Sequence, residues 1–284
     1  MIELLLQGVL LGGLYTLFAL GLSLMFGVMR LTNTAHGDFI ILAAFGALWL
    51  AALGLSPWLA NVAVLPLAWV LGYCLQRYVL NQTLGNDPVP SLVVTFGLSI
   101  VIQNALLETF SADPRSIESH GLNTQSWALT DSLSVGVLPI LILVIALLAT
   151  LGLQWIFEKT RLGRAFRAVS DDPEIAELMG LRSKNIYALA TAMAFVLIAV
   201  AGVLQGLRTT VAPADGPMLL LFAFEAVIMG GMGSFWGTLA GGMLLGVTQQ
   251  LGFRFDPGWG VWAGHCVFLF LLLLRPQGLF PKTR

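Results

Sequence analysis

Long stretches without a charged side chain are the feature that most limits how this sequence can fold. Residues 4–29, 39–76, 88–107, 132–157, 185–207 and 257–274 contain no Asp, Glu, Lys or Arg, and residues 216–253 contain only Glu225. A helix needs about 20 mainly apolar residues to cross a bilayer. Only 10% of the residues are charged, against about 25% in soluble domains. The sequence therefore predicts an all-α protein embedded in a membrane.

These stretches divide into about eight to nine predicted membrane segments within one domain, residues 1–284. Residues 39–76 are too long for one crossing and break at Ser56-Pro57, so they predict two segments. Residues 216–253 break at the sequence GGMGS, residues 230–234. The halves of this last stretch fit either two crossings or one re-entrant hairpin.

Basic residues indicate the orientation. The first charge is Glu3 and no basic region precedes the first apolar stretch, which favours a retained helix over a cleaved signal peptide. With nine segments and the N-terminus outside, the cytoplasmic side holds all the Lys and Arg except Arg115, Arg208 and Arg254. Since Lys and Arg concentrate in cytoplasmic loops, we expect the N-terminus outside and the C-terminus in the cytoplasm.

Residues 158–185 form the one long polar stretch, EKTRLGRAFRAVSDDPEIAELMGLRSKN. Within it, Asp171 and Asp172 precede Pro173, a combination typical of a helix start, and Gly180 is suited to end that helix. Apolar residues recur at helical spacing at Ile175, Leu178, Met179 and Leu181. The pattern predicts a short cytoplasmic helix whose apolar stripe must be covered by the membrane surface or by a docked protein.

Four polar residues in apolar surroundings are candidates for a translocation pathway. Asn33, His36 and Asp38 lie in RLTNTAHGDF, between two apolar stretches, which fits either a plain turn or unwound backbone that lines a cavity. Glu225 lies inside an apolar segment, where a carboxylate costs about 2.5–3.5 kcal/mol. It should face the bundle interior, a partner or a pathway, unless it lies near the outer interface.

Glycines at four-residue spacing predict close helix packing. Gly233, Gly237 and Gly241 form one such series, and Gly8 and Gly12 form another in the first segment. No lysine follows a glycine, so a Walker A nucleotide site is excluded. No metal site is predicted, because His36 has no second His or Cys near it and the two cysteines, Cys74 and Cys266, are far apart in the sequence.

Three of these motifs, in this order, carry a family resemblance. They are GLSLMFGVMRLTNTAHGDFIILAAFGA (21–47), TRLGRAFRAVSDDPEIAELMGL (160–181) and GGMGSFWGTLAGGMLLG (230–246). Together the sequence resembles the smaller permease subunit of bacterial ABC importers for branched-chain (hydrophobic) amino acids. The likeness extends over nearly the whole chain.

The resemblance implies a non-enzymatic translocation subunit in the bacterial inner membrane. Its partners would be membrane lipid, a second permease, two cytoplasmic ATPase subunits and a periplasmic binding protein, with no nucleic acid. ATP and Mg²⁺ would be used by the ATPase, so this chain itself needs no cofactor. Residues 171–181 would be the coupling helix that docks on the ATPase. The residues implied in coupling are Arg164, Arg167, Asp171, Asp172, Glu174, Ala176, Leu178 and Gly180.

Other functions remain open at this point. The same machinery could import urea, short amides or aromatic carboxylates. A stand-alone channel or secondary transporter would need its own coupling site, and its internal repeats should show matched broken helices. Breaks occur near 30–38 and 230–234, but no convincing sequence repeat is evident. A membrane enzyme would need a nucleophile and a base close together, and none is evident.

Overall fold

The computed structural model describes residues 1–85, 87–119, 121–130 and 133–280. The chain forms eleven α-helices and one β-hairpin over these residues. The helices are α1 (Ile2–Met29), α2 (His36–Ala52), α3 (Pro57–Tyr78), α4 (Val89–Phe110), α5 (Val137–Lys159), α6 (Arg161–Asp171), α7 (Pro173–Leu178), α8 (Ser183–Arg208), α9 (Gly216–Gly230), α10 (Phe235–Phe255) and α11 (Trp259–Leu274). The strands are β1 (Ser126–Thr130) and β2 (Leu133–Gly136).

Nine of these helices, α1–α5 and α8–α11, correspond to the nine predicted segments, which confirms a polytopic helical bundle. Six helices in the described residues are long and apolar enough to cross a membrane, whereas α2 and α11 are shorter apolar helices. The hairpin was not predicted. The early residues of the charge-free stretch 132–157 form β2, which pairs antiparallel with β1 so that Ser126 lies opposite Gly136. Helix α5 therefore begins only at Val137.

Helix α1 is the centre of the bundle, surrounded by α10, α8, α5 and α9. Its closest partner is α10, because glycines let the two backbones touch. A Cβ atom added at Gly8 would lie 2.6 Å from the Cα of Val247, and one added at Gly12 would lie 2.5 Å from the Cα of Met243. Real Cβ atoms essentially never approach closer than 3.0 Å. Any larger residue at Gly8 or Gly12 would therefore separate these two helices.

The helices form two halves of matching architecture that run in opposite directions. In each half a long helix (α1 or α8) is followed by an unwound segment, a short helix (α2 or α9), a long helix (α3 or α10) and a peripheral helix (α4 or α11). Helix α1 packs most extensively on α10, and α8 packs most extensively on α3. This inverted repeat is typical of many transporter folds, although no repeat was evident in the sequence.

In the second half the segment equivalent to 30–35 is 209–215, which ends in a short 3₁₀ helix (Pro213–Asp215) and leads into α9. The predicted break at 230–234 is confirmed as a tight turn between α9 and α10. Gly231 and Gly233 have φ angles of 107° and 80° in this turn. Glycine adopts such angles without the steric cost that other residues meet, so GGMGS marks a turn.

Two opposite faces of the bundle can be distinguished by contacts between the ends of its helices. Ser170 at the end of α6 donates a hydrogen bond to the carbonyl of Gly27 in α1 (2.8 Å), and Arg77 in α3 donates one to Asn185 in α8 (2.8 Å). We call this end, which carries α6 and α7, the α7 face. The opposite end, where α5 starts, carries the hairpin and is called the hairpin face.

Candidate functional site: the α7 segment and the buried polar residues

The chain turns sharply from α5 into α6 at the α7 face. The Thr160 hydroxyl accepts a hydrogen bond from the Gly163 amide (3.1 Å), which caps the start of α6. Gly163 lies so close to α5 that an added Cβ would be 2.2 Å from the carbonyl oxygen of Ile156. Phe166 is fully buried, and its ring centroid lies 5.4 Å from that of Phe157. These contacts fix α6 against the end of α5.

Helix α7 is only six residues long, but it is fixed at both ends. The Asp172 carboxylate accepts hydrogen bonds from the amides of Glu174 and Ile175, both at 3.0 Å, as an N-cap does. Gly180 has φ +88°, and the Leu181 amide donates to the Ala176 carbonyl at 3.0 Å. This pairing is a Schellman C-cap. The caps compensate for the instability of so short a helix.

The apolar stripe of α7 divides between two surroundings. Ala176 is buried, and Leu181 packs against the core. By contrast, Ile175, Leu178 and Met179 are 60%, 87% and 81% exposed. Three large apolar side chains therefore project from a rigid helix without a partner within the described part of this chain.

The remaining residues implied in coupling lie around α7 but have different surroundings. Arg164 is exposed, whereas Arg167 turns back and donates to the carbonyl of Phe157. Asp171 ends α6, and Glu174 is exposed in the first turn of α7. Arg167 thus helps to hold the α5–α6 junction, and the exposed groups are available to a partner.

Asn33 and His36 lie inside the protein, at the break before α2. Both are fully buried. The Asn33 side-chain oxygen accepts from the Ala35 amide (3.0 Å), and the His36 Nε2 atom is hydrogen-bonded to the Phe18 carbonyl in the middle of α1 (2.7 Å). The other side-chain nitrogens, Asn33 Nδ2 and His36 Nδ1, have no partner. Helix α2 therefore begins deep within the bundle rather than at its surface.

Asp38 joins three helices at this position. Its carboxylate accepts a hydrogen bond from Gln103 of α4 (2.9 Å) and lies beside Gly216, the first residue of α9. The N-terminal ends of α2 and α9 both favour a nearby negative charge. Helices α2 and α9 cross at Gly37, where an added Cβ would lie 1.9 Å from the Gly216 carbonyl oxygen. Asp38 is thus a buried tie between the two halves.

Glu225 is buried in α9 and is paired with His265 of α11. One carboxylate oxygen contacts His265 Nδ1, and the other oxygen has no partner. Near it, the Tyr15 hydroxyl donates to Gln249 (2.5 Å), and the rings of Tyr15 and Phe222 lie 5.0 Å apart. Neither His265 nor Gln103 was among the predicted site residues. Each is a polar side chain inside an apolar segment, which is the signal that marks both of them.

The glycine series of α10 packs against α9. Added Cβ atoms at Gly237 and Gly241 would lie 2.3 Å and 2.1 Å from carbonyl oxygens of Gly230 and Ala226. Gly233 lies in the preceding turn, where its Cα would be 3.2 Å from a Cβ atom added at Gly27. Within the described residues, no group of three or more His, Cys, Asp or Glu is placed to hold a metal ion.

Comparison with known proteins agrees with this architecture. Residues 4–274 match the family model described as "Branched-chain amino acid transport system / permease component". The chain is 30% identical to the high-affinity branched-chain amino acid transport system permease protein BraD of Pseudomonas aeruginosa, covering 98% of this chain and 95% of BraD. It is 26% identical to LivH of Escherichia coli, a permease protein with the same description, over 97% and 94% of the two chains.

A solved structure is similar in fold. A chain of PsaBC from Streptococcus pneumoniae, determined in complex with a Fab, has a TM-score of 0.51 and 15% sequence identity, and the match covers 97% of this chain and 93% of that chain. Coverage over nearly the full length excludes a match confined to one motif. This multi-pass membrane protein therefore belongs to the family of permease components of branched-chain amino acid transport systems.

Proposed function

We propose that this chain is the translocation subunit of a bacterial ABC importer for branched-chain and other hydrophobic amino acids. The observation that carries the proposal is the exposed apolar triad of α7, Ile175, Leu178 and Met179, on a helix that is capped at both ends. In the proposed assembly this helix docks into a groove on a cytoplasmic ATPase subunit. ATP and Mg²⁺ act there, and this chain contributes no catalytic group.

The triad is suited to docking on energetic grounds. Burial of one large apolar side chain contributes about 1.5–3 kcal/mol, so covering Leu178 and its two neighbours supplies much of a docking energy. The caps at Asp172 and Gly180 add rigidity, and Arg167 fixes α6 to α5. A displacement applied to α7 would therefore pass into the membrane helices instead of bending a loose loop.

The distribution of basic residues supports a cytoplasmic position for the α7 face. The chain segments at this face carry Arg30, Arg77, Lys159, Arg161, Arg164, Arg167, Arg182, Lys184 and Arg275. The hairpin face carries Arg115, Arg208 and Arg254. By the positive-inside rule the N-terminus lies outside and the C-terminus in the cytoplasm. This orientation would set the hairpin face toward a periplasmic binding protein.

The similarity to BraD and LivH, both permease proteins of high-affinity branched-chain amino acid transport systems, supports the substrate class. The binding protein would select the amino acid, and a second permease would complete the pathway. Five apolar side chains of α5 are exposed at helical spacing, and such a surface suits contact with lipid or with that second permease. They are Leu141, Val144, Leu148, Leu151 and Trp155.

The docking role is tested by Leu178→Asp, with Leu178→Met as the matched control. Leu178 is 87% exposed, so neither change should disturb folding, and Met conserves the apolar volume. We expect Leu178→Asp to insert normally but to lose the ATPase subunit during purification in mild detergent, and Leu178→Met to retain it. Retention of the ATPase by Leu178→Asp would show that α7 is not the docking element.

The substrate is tested in proteoliposomes that contain the purified complex and its binding protein. We expect ATP-dependent uptake of labelled leucine, isoleucine or valine, with urea and aromatic carboxylates as comparison solutes. Uptake of a comparison solute in preference to the amino acids would refute the substrate assignment. Uptake by this chain alone without ATP would refute the ABC assignment and indicate a channel or secondary carrier.

A further inference from the structure

A cavity of about 640 Å³ opens at the α7 face, between α7 and the membrane helices. Its walls come from the turn after α1, the start of α4, the end of α6, α7 and the start of α8. None of Asn33, His36, Asp38 or Glu225 lines it. The cavity is therefore separate from the buried polar residues described above, and it lies directly behind the proposed coupling helix.

Five charged side chains from five different segments line this cavity. Arg30 and Lys184 are the cations, and Asp87, Asp171 and Glu177 are the anions. No ion pair within 4.0 Å joins any two of them, since the one such pair in the described chain is Glu225 with His265. Charges of both signs thus surround one space without neutralising each other.

Arg30 ends helix α1 as its C-cap residue. It has φ 53° and ψ 28°, in the left-handed region, which is a common conformation at the end of a helix. Its side chain is exposed and makes no hydrogen bond or ion pair in the described structure. The guanidinium group on the wall of the cavity is therefore free to bind an anionic group.

The uncharged part of the wall is mixed. Its apolar residues include Val28, Leu31, Leu84 and Leu92, and its polar residues are Thr32, Asn81, Ser91, Ser170, Ser183 and Tyr187. A ligand suited to this space carries an anionic and a cationic group close together, and an aliphatic part. Its carboxylate would accept hydrogen bonds from Arg30 and Lys184, and its ammonium group would donate to Asp171 or Glu177. Charge-assisted bonds of this kind are the strong ones.

We propose that this cavity binds a free aliphatic α-amino acid on the cytoplasmic side, and that the bound amino acid ties α7 to the membrane helices. The inference rests on the proposed function for the identity of the amino acid. Helix α7 meets the bundle through its junction with α6, through buried Ala176 and through a 3.4 Å bond from the Ser183 hydroxyl to the Pro173 carbonyl. A ligand between Glu177 of α7 and Lys184 of α8 adds a further attachment, so accumulated product would restrain the coupling movement.

The test measures equilibrium binding of labelled L-leucine to the purified full-length chain in detergent that contains no phosphatidylethanolamine. The variants are Arg30→Gln, Glu177→Gln and Lys184→Gln. Each removes one charge from the cavity, so we expect each to weaken binding about tenfold or more. The matched controls are Glu158→Gln and Lys159→Gln, which alter exposed residues near the same face outside the cavity and should bind leucine as the parent protein does.

Analogues define the two charged contacts. Leucine amide lacks the carboxylate and 4-methylpentanoate lacks the ammonium group, and we expect both to compete at least tenfold more weakly than leucine. Equal competition by either analogue would overturn the zwitterion site. The same charge pattern occurs in the phosphatidylethanolamine headgroup. If the parent protein binds phosphatidylethanolamine but does not bind leucine, the cavity is a lipid site and the proposal is overturned.

The regulatory consequence is tested in proteoliposomes of the whole complex with the ATPase facing the bath. Leucine added to the bath should lower ATP hydrolysis in the parent complex and in Lys159→Gln, but not in Arg30→Gln. Leucine uptake that proceeds normally while leucine neither binds the cavity nor lowers ATP hydrolysis would overturn this inference and leave the proposed function intact. Absence of leucine uptake together with retained cavity binding would overturn the proposed function alone.

Discussion

The close crossing of α2 and α9 at Gly37 predicts that Gly37→Ala strongly destabilises the folded protein. The new Cβ would lie 1.9 Å from the Gly216 carbonyl oxygen and 2.7 Å from the Leu220 amide nitrogen. Both obstacles are backbone atoms of one helix, so no side chain can rotate away. The helices must separate by about 1.1 Å before the closest contact reaches 3.0 Å.

The cost of this separation can be estimated from two terms. Overpacking in a tight core costs about 1–3 kcal/mol. The shift also strains the 2.9 Å bond between Asp38 and Gln103, and a hydrogen bond to a charged group contributes about 1.5–3 kcal/mol. Together the two costs amount to about 2.5–6 kcal/mol, a large part of the 5–15 kcal/mol by which typical proteins are stable.

The assay is the midpoint of thermal unfolding in detergent, followed as loss of the monodisperse peak in size-exclusion chromatography. Gly97→Ala in α4 is the matched control, because a Cβ there meets nothing within 4 Å and alanine favours a helix by about 1 kcal/mol. We expect Gly37→Ala to lower the unfolding midpoint well below that of the parent, and Gly97→Ala to match or exceed the midpoint of the parent. A Gly37→Ala variant as stable as the parent would refute the close crossing.

Two further predictions concern other ties in the bundle. His265→Leu should lower the stability of the folded protein by about 3–5 kcal/mol because it leaves the buried Glu225 carboxylate unpaired, and adding Glu225→Leu should recover most of that stability. A double-mutant cycle of unfolding midpoints measures this coupling. Additive losses in the two single variants would show that the pair is not coupled. Gly278→Ala should release the C-terminal segment, because Gly278 has φ +81° and its added Cβ would lie 2.5 Å from the Gly231 amide nitrogen. The amides of Leu279 and Phe280 would then leave the carbonyls of Met229 and Gly230. Chymotrypsin cleavage of the released segment at the Leu279–Phe280 bond would detect this change. The control is Gly85→Ala, where a Cβ meets nothing within 4 Å, and equal cleavage in both variants would contradict the prediction.

Local features of the fold could be predicted from the sequence because they depend on neighbouring residues. The start of α7 at Pro173 and its end before Gly180 follow from capping chemistry within ten residues of chain. The membrane segments follow from length and polarity alone. Asp171 was one of two predicted caps, and the structure gives that role to Asp172, a difference of one residue that composition does not resolve.

The positions of the polar residues required tertiary structure. Asn33, His36 and Asp38 are adjacent in sequence in a way that fits both a surface turn and an internal break. The bond from His36 to the Phe18 carbonyl decides for the internal break, and it joins residues 18 positions apart. The roles of Gln103 and His265 follow only from their contacts with Asp38 and Glu225, which lie on other helices.

The inverted repeat is hidden in the sequence because the two halves achieve the same packing with different residues. Where α10 meets α1, the close contact depends on glycines such as Gly242 and Gly246. In α8 the small residues are mainly buried alanines spread over several faces of the helix, and Gly72 of α3 lies against the ring of Phe195. These alanines are Ala188, Ala190, Ala192, Ala194, Ala199 and Ala201. Both halves place residues with small side chains in the helix interfaces, which lets the backbones of membrane helices approach closely. Since small size is the shared requirement and identity is not, the halves can keep one architecture while their sequences lose all visible similarity.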